Sequence, residues 1–135
     1  MHDSRLIFTL KDTPYFVRHE SVSSDSLSAI PPDTQALSLE GSNVGDDELA
    51  ALPQLMVLRC LDLDSTSITD RSLLKVAALP ALEELWLEDT AVTDAGLRAL
   101  AGAVSLRFVS LAYTAVTESG VHALSKAIPG VVVIV

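Results

Sequence analysis

LDLDSTSITDRSLLKVAALPALEE (residues 61–84), LWLEDTAVTDAGLRALAGAVSLRF (85–108) and VSLAYTAVTESGVHAL (109–124) are three versions of one unit, and LSLEGSNVGDDELAAL (37–52) is a looser fourth. Leu37, Leu61, Leu85 and Val109 are spaced by twenty-four, as are Leu39, Leu63, Leu87 and Leu111, and again Val44, Ile68, Val92 and Val116. A fixed period of this size marks a stack of supersecondary units, each too small to bury its own apolar face.

Each unit opens on alternating residues, Leu61 and Leu63 against Asp62 and Asp64, so a short strand with its leucines inward is expected. A bend follows, then a 3.6-period stretch. Thr69 is placed as N-cap, and Asp70 sits where a carboxylate favours the helix dipole. Leu73, Val76 and Leu79 then form the inward stripe before Pro80 ends the helix. Thr93, Asp94, Leu97 and Leu100 repeat the pattern, as do Thr117, Glu118, Val121 and Leu124. In the first unit Pro53 arrives three residues before the position matching Pro80, which predicts a shorter helix over 46–52. Val131 to Val135 reads as a final strand.

With 135 residues and 49% apolar content, the chain fits one folded domain. No apolar run approaches the roughly 18 residues that span a bilayer. The opening MHDSRLIFTLKDTPYF lacks the pattern of a secretory signal, so a cytoplasmic protein is expected. Cys60 stands alone, which leaves no disulfide and no cysteine-based zinc site. The net charge of −9 opposes binding to nucleic acid or anionic membrane, both of which need Lys and Arg against phosphate. A basic protein partner suits it better.

Residues 1–36 do not repeat and are expected to cap the open end of the core. Arg5 to Leu10 and Tyr15 to Val17 are β-prone around the turn residues KDTP, the pattern of a short hairpin. Glu20 to Ser28 is polar and serine-rich and reads as a loop.

The units resemble leucine-rich repeats, LxxLxLxxN followed by a variable helical part. The matching residues are Leu58, Leu61, Leu63 and Thr66; Leu82, Leu85, Leu87 and Thr90; and Leu106, Val109, Leu111 and Thr114. Thr replaces the usual Asn, and Ser42 does so in the first unit. The TxITD and TxVTD tails look like those of bacterial and F-box-associated members, although residues 1–36 do not resemble an F-box. The resemblance implies an α/β fold: a short right-handed solenoid with a parallel β-sheet on its concave face and helices on its convex face. Residues 37–135 would supply four 24-residue repeats and a terminal strand. It also implies protein binding, with no catalytic residue and no cofactor.

In such a stack the outward strand positions form columns. Ser38, Asp62, Trp86, Ser110 and Ile134 make one; Glu40, Asp64, Glu88 and Ala112 a second; Ala36, Cys60, Glu84, Phe108 and Val132 a third. Asp89 and Tyr113 lie just beyond the strands. The expected partner-binding surface is therefore Glu40, Asp62, Asp64, Glu84, Trp86, Glu88, Asp89, Phe108 and Tyr113, six carboxylates with three aromatic rings. Like charges in a column oppose one another's ionisation, so stability alone does not favour the arrangement. A basic peptide or surface anchored on Trp86 is the functional reading, and a solvated acidic face the bland one. No DxDxDG-type loop surrounds these carboxylates, so no metal is expected. His2, His19 and His122 are scattered, and no nucleophile–base pair or phosphate loop is present, so an enzyme is not expected. The alternative role is assembly: the strand VVVIV would leave an open edge, which further repeats of a longer protein would continue, the N-terminal segment would shield, or a second copy would pair with, Val132 and Ile134 then adding apolar contact for a homodimer.

Overall fold

A computed structural model of the chain describes residues Val17–Arg18 and 22–135. The elements run β1 (Val17–Arg18), α1 (Ser24–Ser28), β2 (Ala36–Ser38), α2 (Asp46–Leu49), β3 (Cys60–Asp62), a 3-10 turn (Asp70–Ser72) leading into α3 (Leu73–Ala77), β4 (Glu84–Trp86), α4 (Asp94–Leu100), β5 (Phe108–Ser110), α5 (Glu118–Ala127) and β6 (Val132–Ile134). This is an α/β architecture with one parallel sheet in the order β1-β2-β3-β4-β5-β6. Among the described residues, no helix is long and apolar enough to cross a membrane.

The strand register follows the sequence period. Leu37 lies beside Leu61, Leu61 beside Leu85, Leu85 beside Val109, and Val109 beside Val133. Hydrogen bonding continues past each strand: Leu63 N–H donates to the Trp86 carbonyl at 2.9 Å and Ser65 N–H to that of Glu88 at 2.8 Å. Strand leucines alternate with polar residues, so Leu37, Leu61, Leu85 and Val109 join the helix residues Leu49, Leu73, Val76, Leu97, Leu100 and Leu124 in one core. Leu61 and Leu73 have no exposed surface. Truncating a leucine at such a position costs roughly 2–5 kcal/mol.

Strands β2 to β5 each exit through a left-handed residue: Gly41 (φ 70°), Ser65 (55°), Asp89 (54°) and Tyr113 (60°). The next residue in three of the units is threonine. The hydroxyls of Thr66, Thr90 and Thr114 donate to the carbonyls of Leu63, Leu87 and Leu111 at 2.7, 2.7 and 2.6 Å. Thr thus closes the turn locally in each of these three units.

The helix starts carry a second periodic device. Thr69, Thr93 and Thr117 cap their own helices by accepting from Arg71, Ala95 and Gly120 N–H. Each also donates its backbone N–H and its hydroxyl to the carboxylate of the preceding unit: Asp46, Asp70 and Asp94 respectively. The position twenty-six residues after each of these aspartates is Ser72, Gly96 and Gly120. Ser72 donates its hydroxyl to Asp46, whereas a Cβ at Gly96 or Gly120 would run into Asp70 or Asp94. Of these three units, the one with serine begins its helix with a 3-10 turn; the two with glycine enter the α-helix directly.

Two expectations are corrected. The serine-rich stretch expected as loop holds α1, started by a capping box in which Ser23 and Ser26 each accept from the other's backbone N–H, at 3.1 and 2.8 Å. It delivers Leu27, flanked by Val22 and Ile30, onto the end of the core. The helix expected from Thr69 onward is shorter than its pattern, because its first turn is 3-10. The hairpin expected over residues 5–17 lies outside the described residues except for Val17, which belongs to a strand parallel to β2.

Candidate functional site

The face of the sheet opposite the helices carries the expected columns, in two layers of different character. The first is formed by the strand residues. Ala36 and Cys60 pack together and Trp86 rests against them. The Trp86 and Phe108 rings lie 5.1 Å apart at 51°. Trp86 Nε1 donates to Glu84 Oε2 at 3.0 Å, and the Cys60 thiol donates to the same oxygen at 3.1 Å. Asp62 accepts from the Asp64 N–H at 3.0 Å.

Asp62, Glu84 and Phe108, expected at the surface, are buried at 0%, 1% and 8% exposure, and Trp86 is half-buried. Taking a carboxylate out of water is costly, and hydrogen bonds offset that cost. Glu84 gathers an indole and a thiol onto one oxygen. These four residues form the floor of the face and hold the neighbouring side chains in place.

The second layer lies where the strands end. Glu40, Asp64, Ser65, Glu88, Asp89 and Tyr113 line an open groove of ≈ 440 Å³. Its walls are fixed by hydrogen bonds across units. Asp64 Oδ1 accepts from the Glu88 N–H at 2.7 Å, Glu88 Oε2 accepts from the Ser110 hydroxyl, and Asp89 Oδ2 accepts from the Ser65 hydroxyl at 3.0 Å. Five of the nine expected partner-binding residues therefore converge on one groove, and the other four lie beneath the adjoining surface. Ser65 was missed. It occupies the column of left-handed residues, Gly41–Ser65–Asp89–Tyr113, that the 24-residue period would have given.

Tyr113 is 85% exposed and sits at φ 60°. A bulky L-residue in the left-handed region is strained by about 1–3 kcal/mol, and the structure elsewhere in this column uses Gly, Ser and Asp. At this position the exposed phenol lies at the rim of the carboxylate groove.

The electrostatics of the groove centre on Asp64. Burial raises its carboxyl, the neighbouring Asp62, Glu88 and Glu40 charges raise it further, and the Glu88 N–H opposes them; the outcome is about 7. Carboxylate oxygens of Glu40, Asp62 and Asp64 fall within 4.8 Å of one another. Asp46 and Asp94 behave oppositely: burial opposes ionisation at Asp46, but bonds from Ser72 and Thr69 outweigh it, and bonds from Thr117 lower Asp94. Thr contacts favour the charged form at Asp46 and Asp94, whereas burial and neighbouring carboxylates resist it at Asp64.

Val132 and Ile134 stand apart from the groove, on β6 at the sheet edge, at 37% and 44% exposure. Arg59 forms an ion pair with Glu83 at 2.8 Å, one residue outside β3 and β4. Compared with protein-family models the chain matches none, and compared with curated proteins it finds no match.

Proposed function

We propose that the chain is a short leucine-rich-repeat solenoid that binds a protein partner without catalysis, taking a Lys- and Arg-bearing segment into the groove at the strand ends. The 24-residue register of the parallel strands and the apolar core shared by all the units support the solenoid. The observation that carries the binding role is the groove itself: four carboxylates and an exposed tyrosine ring on one wall-to-wall surface. Cationic side chains entering it would donate charge-assisted hydrogen bonds to Glu40, Glu88 and Asp89. Their aliphatic stems, or a guanidinium plane, would lie on Tyr113. The net charge of −9 would steer a basic partner toward the chain before contact.

Fluorescence anisotropy with a labelled Arg/Lys-rich peptide, beside a neutral peptide of equal length, tests this reading. Salt-sensitive binding of the basic peptide alone is expected. Equal affinity for both peptides, or binding indifferent to salt, would remove the groove from the account.

A further inference from the structure

Resting on the capture of a basic segment proposed above, we infer that the groove selects arginine over lysine, a guanidinium forking between Asp64 and Glu88 and stacking on Tyr113. The starting point is the state of the carboxylate oxygens. Asp64 Oδ1 accepts from the Glu88 N–H, Glu88 Oε2 from the Ser110 hydroxyl and Asp89 Oδ2 from the Ser65 hydroxyl. Among the described residues, none donates to the second oxygen of Asp64, Glu88 or Asp89. Asp64 is the most demanding of the three. It is nine-tenths buried, at 9% exposure, yet it lines the groove. A carboxylate with so little access to water and one oxygen lacking a donor favours a cationic donor brought in by a ligand.

The spacing of those acceptors suits one cation better than the other. Asp64 and Glu88 belong to successive units, whose strands run about 4.8 Å apart. A guanidinium holds five N–H groups in one rigid plane and can give a different edge to each carboxylate. An ammonium gathers three donors around a point, so it meets one carboxylate at a time. Guanidinium is also the more weakly hydrated ion and loses less water on reaching a side chain as deep as Asp64.

The aromatic ring adds to the preference. Tyr113 lines the same groove and is 85% exposed, so a face of its ring is open to a ligand. A flat cation lies on a flat ring over its whole plane, whereas an ammonium offers the ring only its charge. Asp89 occupies the position of Tyr113 one unit earlier, where its carboxylate would meet the outer edge of a guanidinium stacked on the ring.

Fluorescence anisotropy on the full chain tests the selectivity with two labelled peptides of equal length and charge, identical except for Arg or Lys at every basic position. Equal charge gives both the same steering, so the ratio of their affinities reads the fork and the stacking. The Arg peptide should bind roughly tenfold more tightly. Tyr113→Leu should cut the ratio to roughly twofold, and Tyr113→Phe should keep it. Because the ring is exposed, both variants should keep the circular dichroism of the wild type. Asp64→Asn, which keeps the acceptor for the Glu88 N–H, should weaken the Arg peptide roughly tenfold. Equal affinity for the two peptides, or tighter binding of the Lys peptide, overturns the selectivity and leaves the groove's binding role standing. So does a ratio that Tyr113→Leu leaves unchanged. Binding of neither peptide overturns the binding role itself, and the selectivity with it.

Discussion

The Asp70 carboxylate accepts both the backbone N–H of Thr93, at 2.7 Å, and the Thr93 hydroxyl. One side chain thereby ties the start of one helix to the start of the next, and Asp46–Thr69 and Asp94–Thr117 repeat the tie. Replacing Asp70 with Ala leaves a half-buried N–H without its acceptor. A loss of about 1–2 kcal/mol in urea unfolding is expected. Thr93→Ser, which keeps the hydroxyl, should recover most of what Thr93→Val loses.

Two glycines, Gly96 inside α4 and Gly102 in the turn just after it, separate packing from backbone freedom. Gly→Ala in a helix ordinarily gains up to about 1 kcal/mol. At Gly96 an added Cβ would meet the Asp70 carboxylate and approach Leu73 Cδ1 to 2.9 Å, so Gly96→Ala is expected to lower Tm in spite of that gain. At Gly102 the nearest atom is the Ala99 carbonyl at 3.8 Å, and the same substitution should leave Tm unchanged or raise it. Paired thermal melts decide whether the carboxylate contact controls the position.

Asp64 gives the pH dependence a definite sign. Its carboxyl rises from 3.8 to about 7 on folding, so between those values the folded chain holds a proton that the unfolded chain has released. This contribution is complete below pH 3.8 and is lost as pH rises to about 7. After discounting for solvent screening of a partly accessible group, it is on the order of 1–2 kcal/mol. Asp64→Asn keeps the acceptor for the Glu88 N–H. It should stabilise the protein at pH 8 and flatten this slope in pH-dependent denaturation. Asp46 and Asp94 act at the acid end: their lowered carboxyls contribute stability above 3.8 that is lost as pH falls through their folded values.

Tyr113 sets stability against function. Glycine takes φ 60° without strain, and a ring that is 85% exposed has little packing to lose. Tyr113→Gly should therefore raise stability by about 1 kcal/mol while weakening capture of a basic peptide several-fold. Chemical denaturation and peptide titration on the same sample report the two effects separately.

The inward residues were legible because a strand leucine has one role in every copy. Spacing alone gave the pairing of Leu37, Leu61, Leu85 and Val109. What period two could not give was the depth of the outward residues. Asp62 and Tyr113 both belong to outward columns, yet one is fully buried and the other almost fully exposed. The Asp–Thr ties were equally hidden, because a helix-start aspartate suits its own dipole and the bond to the next unit joins residues 23 apart. The recurring TD with Gly or Ser three residues after Thr was the available signal. Helix α1 escaped because its composition reads as linker, while its start rests on two serines three residues apart.

The most direct test of the binding account is titration of an Arg/Lys-rich peptide into the wild type and into the variant combining Glu40→Gln, Glu88→Gln and Asp89→Asn, with circular dichroism showing both folded. The account predicts that the wild type binds and that the variant loses at least roughly tenfold in affinity, together with most of its salt dependence. Unchanged affinity in the folded variant would contradict it.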